Sequence, residues 1–294
     1  MDGDRCSVIA ADEPLAGTTA QAATWLCVEQ PGPWGRDTPM DSHLDEGVAR
    51  ELVEQTRGTG VRLALIRRPG SHPDRHHPTA RHVYLAHTAP GRTWLEHREV
   101  AEPKELLDLD LARAGAGEPG ELGDRVSGPL LLVCTNGRRD VCCALRGRPI
   151  AAALAAERGD RVWECTHLGG HRFAPTAVLL PTGYAYGRLT VSAARRLLSD
   201  GPTAQDCRGR STWSPPGQVA ELAVRDRVGI DDPDALLVSA VSETDGGWLA
   251  MVSHVDGRGW RVAMVERVWP DRSASCGAAP KPAVSIEVLD VRPS

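Results

Sequence analysis

The sequence predicts a mixed α/β (α+β) protein, on three observations. Short apolar runs of strand length alternate with longer amphipathic runs of helix length. Pro and Gly punctuate the joints between them, and one order of elements can be read twice along the chain.

In the first half, TWLCVEQ (residues 24–30) reads as a strand and SHLDEGVARELVEQTRG (42–58) as an amphipathic helix. VRLALIRR (61–68), ARHVYLAHT (80–88) and RTWLEHREV (92–100) read as strands, and EPKELLDLDLARA (102–114) as a helix. GAGEPGELGD, Gly115 to Asp124, has the composition of a linker.

The second half is more legible. SGPLLLVC is a short apolar strand ending at Cys134, and GRPIAAALAAERG is a helix with Pro149 in its early turn and Gly159 as its stop. DRVWEC forms a second strand ending at Cys165. TAVLLP and YAYGRL flank a turn at Pro181, Thr182 and Gly183, and TVSAARRLLSD is a helix with Thr190 or Ser192 as its cap. Strand, helix, strand, loop, strand, strand, helix is the order of a thioredoxin-like domain. The expected division is therefore residues 1–124, a first thioredoxin-like unit, 125–200, a second that carries the chemistry, and 201–294, a small C-terminal appendage. In the appendage, Pro215 and Pro216 open a helix over 218–228, and strands follow at GWLAMVSHV, GWRVAMVERV and AVSIEVLDV.

Composition narrows the function. The net charge is −5, with no long basic stripe interleaved with aromatics, so nucleic acid is not the expected partner. The longest apolar run, Ile150 to Ala156, is far short of the roughly 20 residues that span a bilayer, and the N-terminus is too acidic for a signal peptide. A cytoplasmic protein is expected. Eight cysteines in 294 residues are too few for a disulfide scaffold, yet four fall between residues 134 and 165.

Just beyond that cluster, ECTHLGGHRFAP places His167 and His171 four residues apart across Gly169 and Gly170. The glycine pair disfavours a helix and favours a tight loop with positive φ, which brings the two rings together. CTNGRRDVCC, Cys134 to Cys143, begins where the neighbouring strand ends, and both loops belong at the carboxyl edge of one sheet. Cys134, one of Cys142 or Cys143, His167 and His171 can therefore meet, a donor set suited to zinc or an iron–sulfur cluster. Eight residues between Cys134 and Cys143 are wider than a zinc-finger pair and fit something larger than one ion. A Rieske framework, with each His shortly after a Cys in two loops, is not the pattern.

Together with WLCVEQPGPWG, Trp25 to Gly35, the segments CTNGRRDVCC, VWECTHLGGHRF and LLPTGYAYGRL resemble the sucrase/ferredoxin-like family over roughly residues 6–200. That resemblance implies a thioredoxin-like ferredoxin with a bis-histidinyl, non-Rieske 2Fe-2S cluster. It places the ligands on Cys134, Cys143, His167 and His171, preferring Cys143 to Cys142 because Cys143 holds the family's position after Arg139 and Asp140. It further implies a soluble electron carrier serving a redox partner protein. No pair of carboxylates can be singled out for glycosidase chemistry.

Two other readings use the same residues: a thioredoxin-type thiol oxidoreductase built on Cys142 and Cys143 or Cys134, and a zinc-stabilised interaction module. Against the first, no C-x-x-C follows the strand, and adjacent cysteines form a strained disulfide. Cys6, Cys27, Cys142, Cys165, Cys207 and Cys276 read as buried small hydrophobes. His72, His76, His77 and His82 read as members of a solvated loop. Trp25 and Trp34 read as packing residues. Arg138, Arg139 and Arg172, close to the ligands in sequence, could raise the potential or dock an acidic partner, with solvated charge as the simpler reading of each.

Overall fold

The computed structural model describes residues 5–70 and 80–294. After a short helix α1 (Cys6–Ile9), the first half contributes β1 (Thr24–Glu29), α2 (Glu46–Thr56), β2 (Val61–Arg67), β3 (Arg81–His87), β4 (Trp94–Val100), α3 (Leu111–Gly115) and β5 (Asp124–Arg125). The second contributes β6 (Leu130–Cys134), α4 (Val141–Arg158), β7 (Val162–Cys165), β8 (Ala177–Leu180), β9 (Tyr184–Tyr186), α5 (Val191–Ser199) and β10 (Cys207–Arg210).

Topology makes the repetition physical. β1 pairs parallel with β2 and antiparallel with β3, and β6 pairs parallel with β7 and antiparallel with β8. A parallel neighbour requires a crossover, supplied by α2 in one half and α4 in the other. The order β2-β1-β3-β4 is thus repeated as β7-β6-β8-β9. The halves join edge to edge where β2 meets β7 antiparallel, Ile66 opposite Cys165 and Arg67 opposite Glu164, which closes a ten-stranded mixed sheet.

Both faces of this sheet are covered, which is why β1, β6, β7 and β8 are buried at every position and lack an alternating pattern. Successive side chains still point to opposite faces. Trp25, Cys27, Leu132, Cys134, Trp163 and Cys165 share one core that runs across both halves. On the other face, Leu26 and Val28 pack with α2 and α3, and Leu131 and Val133 with α4 and α5.

Beyond α6 (Pro215–Val228), strands β11 (Leu236–Thr244), β12 (Gly247–His254), β13 (Gly259–Arg272) and β14 (Lys281–Pro293) form a separate antiparallel meander. Val219, Ala220 and Val224 of α6 pack on Ala250, Val252, Trp260, Val262 and Met264. The alternation along β12 and β13 is that of a sheet with one covered face. Among the described residues no helix is long and apolar enough to cross a membrane.

Three local differences from the sequence reading have physical causes. The helix expected over 102–114 is broken into a 3-10 turn, Pro103–Asp108, and α3, because Leu109 is extended and the Asp110 side chain caps a new start by accepting from Arg113 N–H. α4 begins at Val141, well before the expected Gly147, because Asp140 caps it by accepting from Cys142 N–H at 2.8 Å. Pro149 therefore lies inside the helix and not in its early turn. Finally, β10, from the segment read as appendage, pairs with β9 and extends the large sheet.

Candidate metal centre

The site is assembled at the carboxyl ends of the parallel neighbours β6 and β7. Cys134 is the last residue of β6, anchored by its N–H to Thr176 O, and Thr135 N–H donates to Cys165 O at the end of β7. α4 is pressed against this strand end. A Cβ on Gly147 would lie 2.3 Å from the Cys134 carbonyl oxygen, so only glycine lets the helix approach this closely. Because α4 starts at Val141, Cys142 and Cys143 occupy its first turn and point in different directions. The Cys143 thiol meets Cys134, and the Cys142 thiol turns towards Ser7, Cys6 and Cys276.

After β7 the chain turns through Gly169 (φ 85°) and Gly170 (φ 66°), the positive-φ bend that the glycine pair predicts. The His167 and His171 rings face each other with centroids 4.6 Å apart and Nδ1 atoms 3.3 Å apart. Two arginines, Arg62 half-buried and Arg208 fully buried, hold this bend by its carbonyls. Arg62 donates to His167 O at 3.1 Å, and Arg208 donates to Gly169 O at 3.0 Å and to the Thr18 hydroxyl at 3.0 Å and carbonyl. Among the described residues neither arginine has a carboxylate partner within ion-pair distance. Burial, with Arg172 adding to it, lowers the Arg208 guanidinium to about 10. Substitution by Met keeps the bulk of Arg208 and removes its donors. Leaving the half-buried Thr18 and Gly169 carbonyls without these donors, Arg208→Met should cost about 1–3 kcal/mol in a denaturant titration. A loss below about 0.5 kcal/mol would show that these hydrogen bonds do not hold the turn.

Sequence reasoning missed Arg62 and Arg208. Arg208 in particular comes from β10, beyond the segment in which the chemistry was sought.

The electrostatics separate the two kinds of donor. The hydrogen bond from Cys143 holds the Cys134 thiol well below its usual range against the opposing effect of burial, with a further contribution from His167. Burial lowers the His171 imidazole to about 4, with His167 adding to it, so at neutral pH that ring keeps a free lone pair. Both thiols are buried and both imidazoles are half-buried. The same contact with Cys134, together with burial, pushes the Cys143 thiol up, so one thiol of the pair is held low by the other. A buried thiol pair beside one imidazole pair is a donor set that fits a two-iron cluster, with its histidine side towards solvent.

The other singled-out residues divide. Cys27, Cys165 and Cys207 are buried, show no thiol hydrogen bond among the described residues, and match the reading as small hydrophobes. Cys6, Cys142 and Cys276 do not stand apart: with Asp140 their ligand atoms all lie within 4.8 Å of one another. Arg172 pairs with the buried Glu13 at 2.7 Å, and Arg139 with Asp37 at 3.1 Å. Arg138 lines a cleft of about 430 Å³ with Trp34, Arg67, Asn136 and Arg148, next to the Cys134 loop. Trp25 and Trp34 are buried packing residues. His72, His76 and His77 lie outside the described residues, while His82 belongs to β3 and not to a loop, its Nδ1 2.9 Å from His97 Nε2.

No curated protein and no solved structure matches the chain. The model of the sucrase/ferredoxin-like family matches residues 15–207, about two thirds of its length, from ahead of β1 to the start of β10. That span takes in both halves of the ten-stranded sheet and all four of Cys134, Cys143, His167 and His171, and the chain belongs to the sucrase/ferredoxin-like family.

Proposed function

We propose that the protein is an electron carrier that holds a 2Fe-2S cluster on Cys134, Cys143, His167 and His171. The observation that carries this reading is the convergence, at the ends of the adjacent parallel strands β6 and β7, of a thiol pair from the end of β6 and the first turn of α4 with an imidazole pair from the turn after β7. When bound, the cluster would supply one-electron redox chemistry, at a potential above the roughly −400 mV of all-cysteine plant-type ferredoxins because imidazole replaces thiolate.

The chain's own residues do the rest. Burial of Cys134 and Cys143 keeps water from the thiolate side, and the half-buried His167 and His171 offer the edge nearest solvent for exchange with a partner. Arg62 and Arg208 place positive charge beside the thiols, which favours the more negative, reduced form. The partner is a redox protein, and Arg138 and Arg148 in the cleft beside the Cys134 loop favour an acidic one. The directions of Cys142 and Cys143 count against a dithiol made of those two neighbours, since each thiol faces a different set of partners.

Anaerobically purified protein should be red-brown, with charge-transfer bands in the visible and about two iron atoms per chain. A colourless protein that takes up no iron when iron and sulfide are supplied under reducing conditions would overturn the reading.

A further inference from the structure

We propose that Cys6, Asp140, Cys142 and Cys276 form a second metal site, separate from the one above, for a single tetrahedral divalent cation of the zinc type. The four residues come from parts of the chain far apart in sequence. Cys6 opens α1, Asp140 caps α4, Cys142 lies in its first turn, and Cys276 sits in the connection from β13 to β14. Their side chains nevertheless converge. The sulfur atoms are 3.4 Å (Cys142 to Cys276), 3.6 Å (Cys276 to Cys6) and 3.8 Å (Cys6 to Cys142) apart. Cys6 Sγ lies 3.6 and 3.8 Å from the two Asp140 carboxylate oxygens.

These distances lie close to the edges of a tetrahedron around zinc. Zinc–sulfur bonds of about 2.3 Å and a zinc–oxygen bond of about 2.0 Å give edges of roughly 3.8 Å between sulfurs and 3.5 Å from sulfur to oxygen. A disulfide does not account for the arrangement, because it consumes two thiols and leaves the third beside a buried carboxylate. The surrounding groups are those of a supporting shell. Cys142 N–H and Cys276 N–H each donate to an Asp140 oxygen at 2.8 Å, fixing the carboxylate towards the sulfurs, and Ser7 Oγ donates to Cys142 Sγ at 3.2 Å. Cys142 and Asp140 also stand at the N-terminus of an 18-residue helix, whose dipole offsets the negative charge of the ligands.

Binding is an exchange of protons for metal: three thiols lose their protons to solvent, the carboxylate is already ionised, and nothing is oxidised or reduced. One ion then ties the N-terminal segment and the β13–β14 connection to the helix that carries Cys143. α1 also packs on the turn His171–Phe173.

This proposal does not rest on the iron reading, and metal analysis separates the two. In full-length protein purified under reducing, anaerobic conditions, about one zinc per chain is expected in addition to any iron. Cys276→Ser and Cys6→Ser should each lower zinc below about a tenth of wild type and leave iron and the visible spectrum unchanged, whereas Cys134→Ser should remove iron and keep zinc. Should the serine variants fail to fold, Co²⁺ added to chelator-treated wild-type protein should give the intense visible bands of a tetrahedral thiolate site in a difference spectrum. The proposal is overturned if supplied Zn²⁺ does not bind wild-type protein, if Cys276→Ser retains it undiminished, if the cobalt spectrum is octahedral, or if the reduced-purified chain has a mass lower by two hydrogens from a Cys142–Cys276 disulfide.

Discussion

Cys143→Ser should lose most of its iron, and Cys142→Ser should keep it. The two residues are adjacent, chemically identical and equally buried, so composition and exposure predict the same outcome for both. Their geometry predicts opposite ones. Consecutive residues on a helix are separated by about 100°, and in the first turn of α4 that rotation sends the Cys143 thiol to Cys134 and the Cys142 thiol to Cys6, Ser7 and Cys276. Serine is a poor substitute for an iron-bound thiolate, so Cys143→Ser should retain well under half of the wild-type iron. Cys142→Ser should match wild type in iron and in visible absorption while losing zinc. Iron content, normalised to folded protein by far-ultraviolet circular dichroism, decides the matter. Equal iron in both variants, or loss in Cys142→Ser alone, would mean that the ligand choice is wrong.

The family resemblance implies that choice, but the residues by themselves leave it open, and the reason is where α4 begins. Reading GRPIAAALAAERG as the helix leaves both cysteines in a loop, where their directions are undetermined. Asp140 moves the start to Val141 and fixes both side chains. The histidine bend was legible because positive φ is a local demand that two glycines announce, and Gly169 and Gly170 meet it. The repeated element order was legible for a related reason, since parallel neighbours need a helical crossover and that crossover has its own periodicity. What joins distant segments was not. Cys6 and Cys276 are separated by nearly the whole chain, and nothing near either residue indicates that both will meet Cys142. Arg208 likewise reaches back from β10 to a turn formed far earlier.

Arg67→Met should destabilise the protein by about 3 kcal/mol, and the double variant Arg67→Met with Glu164→Gln should recover more than half of that. These residues sit opposite each other at the seam where β2 meets β7 and the two halves of the ten-stranded sheet join. Arg67 Nε donates to Glu164 Oε2 at 2.8 Å, both side chains are buried, and the guanidinium lies 4.2 Å from the centroid of the Trp34 ring. Taking two charges out of water costs several kcal/mol per ion, and their mutual attraction returns about as much, so the intact pair contributes little net stability. Removing one partner leaves the other ionised in the interior, and this is the large effect. Methionine retains most of the volume against Trp34, so the loss measures charge and not a cavity. The Thr135 hydroxyl still donates to Glu164 Oε2 at 2.8 Å, which places the estimate at the lower end of the usual range. Thr135 directly follows Cys134, so strain at the seam reaches the candidate metal centre. Chemical denaturation followed by tryptophan fluorescence and by visible absorption should therefore give coincident midpoints, both shifted down in Arg67→Met. A midpoint within about 1 kcal/mol of wild type in the single variant, or no recovery in the double, would mean that the two halves are held at the seam by backbone pairing and apolar packing alone.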